Sequence, residues 1–508
     1  VRSWEATGAA IFLAAIVAVI LIVRLIGLAR FASIPVLLAA AWGAISLWQN
    51  THLPEARGLK PAGVRNLVII TIDALRADAV EPYGVRWRTP AFAELAARSI
   101  VYESAYAASP WTMPSLASML SGLNPRAHGC TEPERCLAPQ VNSLAELLNN
   151  SGFDTAAVIY QGLFMVHTGF ERGFNRYSVM TCHPVELYRT YFAPVSRIPE
   201  RLLDGYPHLT VLTTIEALRT LASLRQPFFL WVHYFDPHSP YAPPRRLMRL
   251  VNKPALPVKL PGHPSDQPAS VDSAVLQKHA SSSPPPKPHE IEYVRQMYQA
   301  EVAFADEQIA RFTEFLETSG LVSNTYLILS SDHGEEFYEH GGWDHGHSLY
   351  NEVLQIPLML SGPGISPELA VCPATHTDIF VTSLKLVGVK PPFSHGTDLL
   401  ELAGQQDCRS RTIVCSTAFV MRKEQDAIYR WPYKLINPPM ELYRIDRDPL
   451  EQERCEGDEI DLALELKRAM HERIAADYRL YKKLGIKPLA KDEKKLQQEV
   501  LKALGYVE

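Results

Sequence analysis

Two acids and several histidines stand where apolar segments of this chain end, and that placement is the first sign of chemistry. Asp73 follows the run 66–72, Asp332-His333-Gly334 follows the run 325–330, and His233 and His238 lie at the end of the run 227–234 and just beyond it. Carboxylate oxygens combined with an imidazole suit Mg, Mn, Ca or Zn. A single such Asp reads as a cap or turn residue. Several ionisable groups arriving on one edge do not, because each needs a partner there.

The elements that must deliver these residues can be read from the pattern around them. The runs 66–72, 155–160, 227–234 and 325–330 are short, apolar and rich in β-branched or aromatic residues, as buried parallel strands are. Helical patterns occupy 91–98, 115–120, 143–149 and 290–318. Strands alternating with helices imply an α/β fold, a mixed, mainly parallel sheet between helices. In such sheets ligands bind beyond the carboxyl ends of the strands, which is where Asp73, Asp332, His333, His233 and His238 fall.

The 508 residues are 47% hydrophobic and 21% charged with a formal net charge of −5, a globular composition without the basic surplus of a nucleic-acid binder. Residues 8–28 carry one charge, Arg24, and residues 31–48 carry none. Each approaches the roughly 20 residues that cross a bilayer as a helix, so 1–49 is expected to be a transmembrane segment of one or two helices. Arg24 and Arg30 flank the connection and favour the cytoplasm, placing residues 50–508 on the extracytoplasmic (periplasmic) side. Residues 50–65 read as a linker and 66–404 as the main domain, with a Pro/Ser-rich exposed insertion over 250–289. Residues 405–508 read as a small subdomain of short strands with a helical tail. Among the seven cysteines, Cys130 and Cys136 are close enough to pair in an oxidising compartment, with free buried thiols the alternative.

Taken in order, several stretches resemble the sulfatase-like branch of the alkaline phosphatase superfamily. They are Ile72–Asp78 with Pro82–Gly84, Thr89-Pro90, Ser109–Ser115 with Ser121-Gly122 and His128-Gly129, and Trp231–Tyr241. Glu301–Asp306 and Ser331–Glu335 with His340-Gly341 and His345-Gly346 come next, then, more weakly, 357–364 and 434–448. The resemblance spans roughly residues 64–450. It implies one divalent metal ion among Asp73, Asp332, His333 and a nucleophile. Some members carry a second acid directly after the first; here Ala74 stands in that place, which favours a single-metal site.

The nucleophile departs from the sulfatase pattern. Sulfatases of this group begin a C/S-x-P-x-R motif with a Cys or Ser that matures to formylglycine. The matching stretch here is Thr112-Met113-Pro114-Ser115-Leu116, without the Cys and without the Arg. The resemblance then points to phosphoethanolamine transferases and lipoteichoic acid synthases, in which Thr attacks and carries the group covalently. A local alternative is that Thr112 caps the adjoining helix. His238 and His345 match substrate-binding histidines of the transferases and are expected to hold a non-bridging oxygen or protonate the leaving oxygen. Arg126 and His128 are expected to contact the anion. For His233, His340 and His347 packing or support is expected, for Arg76 and Asp78 a structural ion pair, and for Glu335, Glu336 and Asp378 solvent or supporting contacts.

The expected activity is metal-dependent cleavage of a phosphate- or sulfate-type ester through a covalent Thr112 intermediate. The expected partner is an anionic ester substrate, a lipid head group or glycan of the cell envelope. The competing expectations are a sulfatase that works without formylglycine and a degenerate protein that only binds anions. The latter fits poorly with competent residues at every expected ligand position.

Overall fold

The computed structural model describes residues 65–84, 87–131, 137–160, 168–180, 209–252, 260, 270–280, 284–408, 411–416, 424–455 and 457–486. The membrane segment expected over 1–49 and nearly all of the 50–65 linker lie outside these residues. Among the described residues no helix is long and apolar enough to cross a membrane.

The strands are β1 (Asn66–Ile72), β2 (Ile100–Tyr102), β3 (Asp154–Tyr160), β4 (Arg176–Met180), β5 (Phe228–Tyr234), β6 (Thr325–Ser331), β7 (Leu358–Ser361) and β8 (Glu368–Ala370). They form one eight-stranded sheet in the order β8-β2-β7-β6-β1-β5-β3-β4. β1 pairs in parallel with β5 and β6, and β3 pairs in parallel with β5 and β4. Only β7 runs antiparallel to its neighbours β6 and β2. The main helices are α1 (Pro90–Ala96), α2 (Thr112–Ser121), α3 (Leu144–Asn150), α4 (Leu209–Ser223), α5 (Pro288–Thr318), α6 (His376–Leu386), α7 (Leu399–Ala403) and α8 (Ile460–Leu484).

The unbroken apolar run of β1 is explained by helices covering both faces. Leu67 and Ile69 join a core with Leu116, Leu120, Leu144, Ile379 and Leu399, from α2, α3, α6 and α7. Val68, Ile70 and Ile72 join another with Phe92, Leu218, Met297 and Ile309, from α1, α4 and α5. Because β1 is central, its register sets the site: Ile72 is opposite Tyr234 on one side and Ser331 on the other. The residues just beyond β1 and β6 therefore emerge together.

The stretch 250–289 departs from the exposed insertion expected. Val271 bridges to Tyr241, and Val271, Ser273 and Leu276 are buried, the last two in a short helix Ser273–His279. Apolar residues between the prolines dock this part against the main core. Beyond residue 405, β9 (Ile413–Ser416), β10 (Asp426–Arg430), β11 (Tyr433–Asn437) and β12 (Glu441–Arg444) form an antiparallel sheet. α8 covers it through Ala463, Leu466 and Met470, packed against Val414, Ile428, Leu435 and Leu442.

Lys434 on β11 fastens this sheet to the main domain. Its fully buried ammonium lies 2.6 Å from Glu451 and donates to Asn351 Oδ1 at 3.0 Å. Removing one partner of a buried pair leaves an uncompensated charge, costing about 3–5 kcal/mol. Lys434→Ala is therefore expected to lower the urea midpoint clearly, whereas a surface change such as Lys482→Ala leaves it in place. A disulfide joins Cys372 and Cys408. Cys136, the expected partner of Cys130, lies outside the described residues.

Candidate active site

Asp73 directly follows β1, its N–H donating to Tyr234 O at 2.9 Å. The chain then turns through Ala74, whose φ of 55° is left-handed, and the Ala74 N–H donates to Asp332 Oδ1 at 3.1 Å. The His333 N–H donates to the same oxygen at 2.9 Å. Two amides thus occupy Oδ1 and orient Asp332, whose buried Oδ2 has no hydrogen-bond partner among the described residues. His333 Nδ1 donates to Gly334 O at 2.8 Å, which fixes the tautomer and leaves the Nε2 lone pair facing the cluster.

Three oxygens surround that nitrogen: Thr112 Oγ1 at 3.2 Å, Asp73 Oδ1 at 3.4 Å and Asp332 Oδ2 at 3.4 Å. Donor atoms about 2.0–2.6 Å from a common cation lie roughly 3–3.5 Å from one another. Asp73, Asp332 and His333 are buried, with one ligand atom of each within 4.8 Å of the others. Their electrostatics also call for a cation. Burial and then the Asp73 charge push the Asp332 carboxyl up to about 8. Burial alone would raise Asp73 too, but His238, His233 and His333 together hold it well below the usual carboxylate range. Burial and the neighbouring His345 keep His333 far below an ordinary imidazole, so it is neutral, as a ligand must be. The donor set fits one divalent ion.

Thr112 is the first residue of α2. Trp111 holds the cap position without a side-chain bond, so the Thr112 hydroxyl is not spent on capping and instead meets His333. The helix N-terminus behind it favours negative charge on that oxygen.

The two histidines expected at the substrate lie beside this cluster. The His345 ring is 4.1 Å from the His333 ring and 4.9 Å from the His238 ring, centre to centre. His238 Nδ1 is bonded to Ser239 O at 2.6 Å. His345 Nδ1 lies 2.8 Å from Asp344 and 3.0 Å from Glu335. Burial opposes its protonation, but these two carboxylates prevail and hold it well above an ordinary imidazole. Asp344 is not among the residues expected at the site. An acid directly before a histidine is the available signal, but its left-handed φ of 74° is not legible in sequence. His233 Nε2 is 3.6 Å from Asp73 Oδ2, while its Nδ1 meets Thr71 Oγ1 at 2.8 Å.

Arg126 and His128 meet other partners. Arg126 makes a two-pronged contact with Asp426 at 2.9 Å and donates to Tyr478, so its guanidinium ties the main domain to β10 and α8. His128 meets Ser118 Oγ at 3.1 Å and accepts from the Cys130 N–H, and burial lowers it to about 3. Both side chains are engaged by partners outside the acid–histidine cluster. His340 and His347 are ion-paired with Glu352 and Glu336. Arg76 pairs with Asp78 and Glu339, and Asp378 caps α6 and pairs with Arg411.

A mainly parallel sheet thus gathers two acids, an imidazole and a hydroxyl at its carboxyl edge. The family model described as Sulfatase matches residues 65–389, and the chain belongs to that family. It is 26% identical to iduronate 2-sulfatase from Homo sapiens over 374 residues; the match covers 66% of this chain and 66%, just under two thirds, of that protein. It is 22% identical to choline-sulfatase from Rhizobium meliloti over 424 residues, covering 77% of this chain and 82% of that one. The fold is similar to that of the phosphonate monoester hydrolase of Agrobacterium radiobacter, with a TM-score of 0.65 at 19% identity. That match covers 81% of this chain and 96% of the hydrolase.

Proposed function

We propose that the protein cleaves a phosphate- or sulfate-type ester through a covalent intermediate on Thr112. The observation that carries this reading is the Thr112 hydroxyl, uncapped and 3.2 Å from His333 Nε2 inside the acid–histidine cluster. A divalent ion held by Asp73, Asp332, His333 and Thr112 would lower the hydroxyl's pKa and neutralise charge on the transferred group. The Thr112 oxygen attacks the phosphorus or sulfur atom in line as the bond to the leaving oxygen breaks. His345, kept protonated by Asp344 and Glu335, or His238 beside it, supplies a hydrogen bond or proton on the leaving side. Water or an alcohol then attacks the same centre and Thr112 departs.

A Thr ester has no second hydroxyl from which to expel its group by elimination, so release requires this second attack. A Thr at this position resembles the nucleophile of phosphoethanolamine transferases and lipoteichoic acid synthases, which favours phosphorus over sulfur. A sulfate ester is the second reading, supported by similarity to iduronate 2-sulfatase and choline-sulfatase. The reading includes an envelope substrate, a lipid head group or glycan, because the apolar stretches 8–28 and 31–48 suit a membrane anchor. The Cys372–Cys408 disulfide suits an oxidising, extracytoplasmic compartment.

The test is accurate-mass analysis of the peptide containing residue 112 after rapid quenching with phosphodiester, phosphonate and sulfate ester substrates. An added phosphoryl, phosphonyl or sulfuryl group on Thr112 is expected and names the chemistry. Turnover with no adduct at any quench time removes the covalent step.

A further inference from the structure

A second polar cleft, of about 360 Å³, opens at the far end of α2 from Thr112, between the α6–α7 region and α8. Asn124, Thr375, Thr397 and Gln405 contribute to its walls. Asn124 lies twelve residues on from Thr112, beyond the C-terminal end of α2. The helix alone separates the two places by about 15 Å, at 1.5 Å per residue.

Two guanidinium groups line this cleft with capacity to spare. Arg411 is held rigidly: one terminal nitrogen pairs with Asp378, and the other donates to Thr397 Oγ1 at 3.1 Å. Its Nε is buried and has no acceptor among the described residues. Each terminal nitrogen carries a second N–H beyond these contacts. Arg473, on α8, also lines the cleft, and its charge acts on the Asp477 carboxyl one turn on. Its charge reaches into the cleft as well, where it adds to burial in keeping His395 neutral, at about 4. Glu401 also lines the cleft and supplies a carboxylate acceptor for hydroxyl groups. The walls are prefixed, because the Cys372–Cys408 disulfide closes the segment carrying α6 and α7.

We propose that this cleft is a binding site, separate from the Asp73–Asp332–His333 cluster, for an acidic saccharide unit. Arg411 and Arg473 take its carboxylate or sulfate, and Glu401 with the threonine, asparagine and glutamine side chains takes its hydroxyls. A guanidinium offers a carboxylate or sulfate paired N–H donors, and one already fixed by Asp378 and Thr397 loses little freedom on binding.

The test is calorimetric titration of the full chain with a sulfated, uronate-containing hexasaccharide, against neutral maltohexaose at the same ionic strength. The titration is run on the wild type, on Asp73→Ala/His333→Ala, and on Arg473→Glu and Arg411→Lys. The Lys variant keeps a cation beside Asp378 but removes the paired N–H donors of the guanidinium. Binding that survives Asp73→Ala/His333→Ala and weakens about tenfold or more in both arginine variants is the expected result. Binding abolished by Asp73→Ala/His333→Ala, unchanged by Arg473→Glu, or equal for maltohexaose overturns the proposal.

Discussion

Thr112→Ala is expected to lower kcat by at least about a thousandfold, because it removes the atom that forms the covalent bond and leaves only binding and electrostatic stabilisation. The size of the loss distinguishes nucleophile from support: a helix cap costs about 1 kcal/mol of stability, and here the Thr112 side chain makes no cap bond to lose. The melting temperature of the Ala variant should therefore stay near wild type while turnover disappears. Thr112→Ser keeps a hydroxyl at the N-terminal end of α2 and should retain most activity. Parallel kcat measurements on a phosphodiester and a sulfate ester check this, and a Thr112→Ala enzyme with full turnover sinks the covalent mechanism. Because His333 Nε2 faces Asp73 and Asp332 as well as Thr112, the Ala variant should still take up a divalent ion.

How much the chain discloses in advance depends on the range of the forces involved. β1 is legible to the residue, since its apolar run is buried on both faces and ends at the polar Asp73. Its neighbours in the sheet are legible for the same reason, and with them the edge where Asp73, Asp332 and His333 meet. Partners far apart in sequence are not legible. Arg126 looks available for an anion in sequence because Asp426, which claims it, lies 300 residues away. Cys372 meets Cys408, 36 residues on, whereas spacing alone favours nearer cysteines. α6 carries a local signal: Thr375 and Asp378 form a capping box at its start. The role of Asp344 depends on a left-handed backbone at a non-glycine position, which side-chain pattern does not encode.

Asp332→Asn is expected to separate stability from metal binding, with opposite signs. In the metal-free protein the Asp332 carboxyl is raised to about 8, by burial first and by the Asp73 charge second. A carboxyl raised on folding favours the fold while protonated; that advantage is present below its unfolded value near 4 and is lost as pH rises toward 8. Asn keeps the Oδ1 acceptor used by Ala74 and His333 and carries no charge. With chelator present, the Asn variant should therefore match wild type near pH 4 and melt higher than wild type at pH 8. Adding a divalent ion should raise the wild type far more than the variant. A ligand at about 100 times its Kd stabilises the folded state by about 2.7 kcal/mol. The Asn variant loses a charged oxygen ligand, and with it the larger part of that gain. Thermal unfolding with chelator, Mg, Ca, Mn or Zn at both pH values reads the effect without reference to turnover. If the Asn variant gains as much from the ion as wild type does, Asp332 is not a ligand. If it melts no higher than wild type at pH 8 in chelator, the like-charge account of the metal-free site fails on its own, whatever the enzyme acts upon.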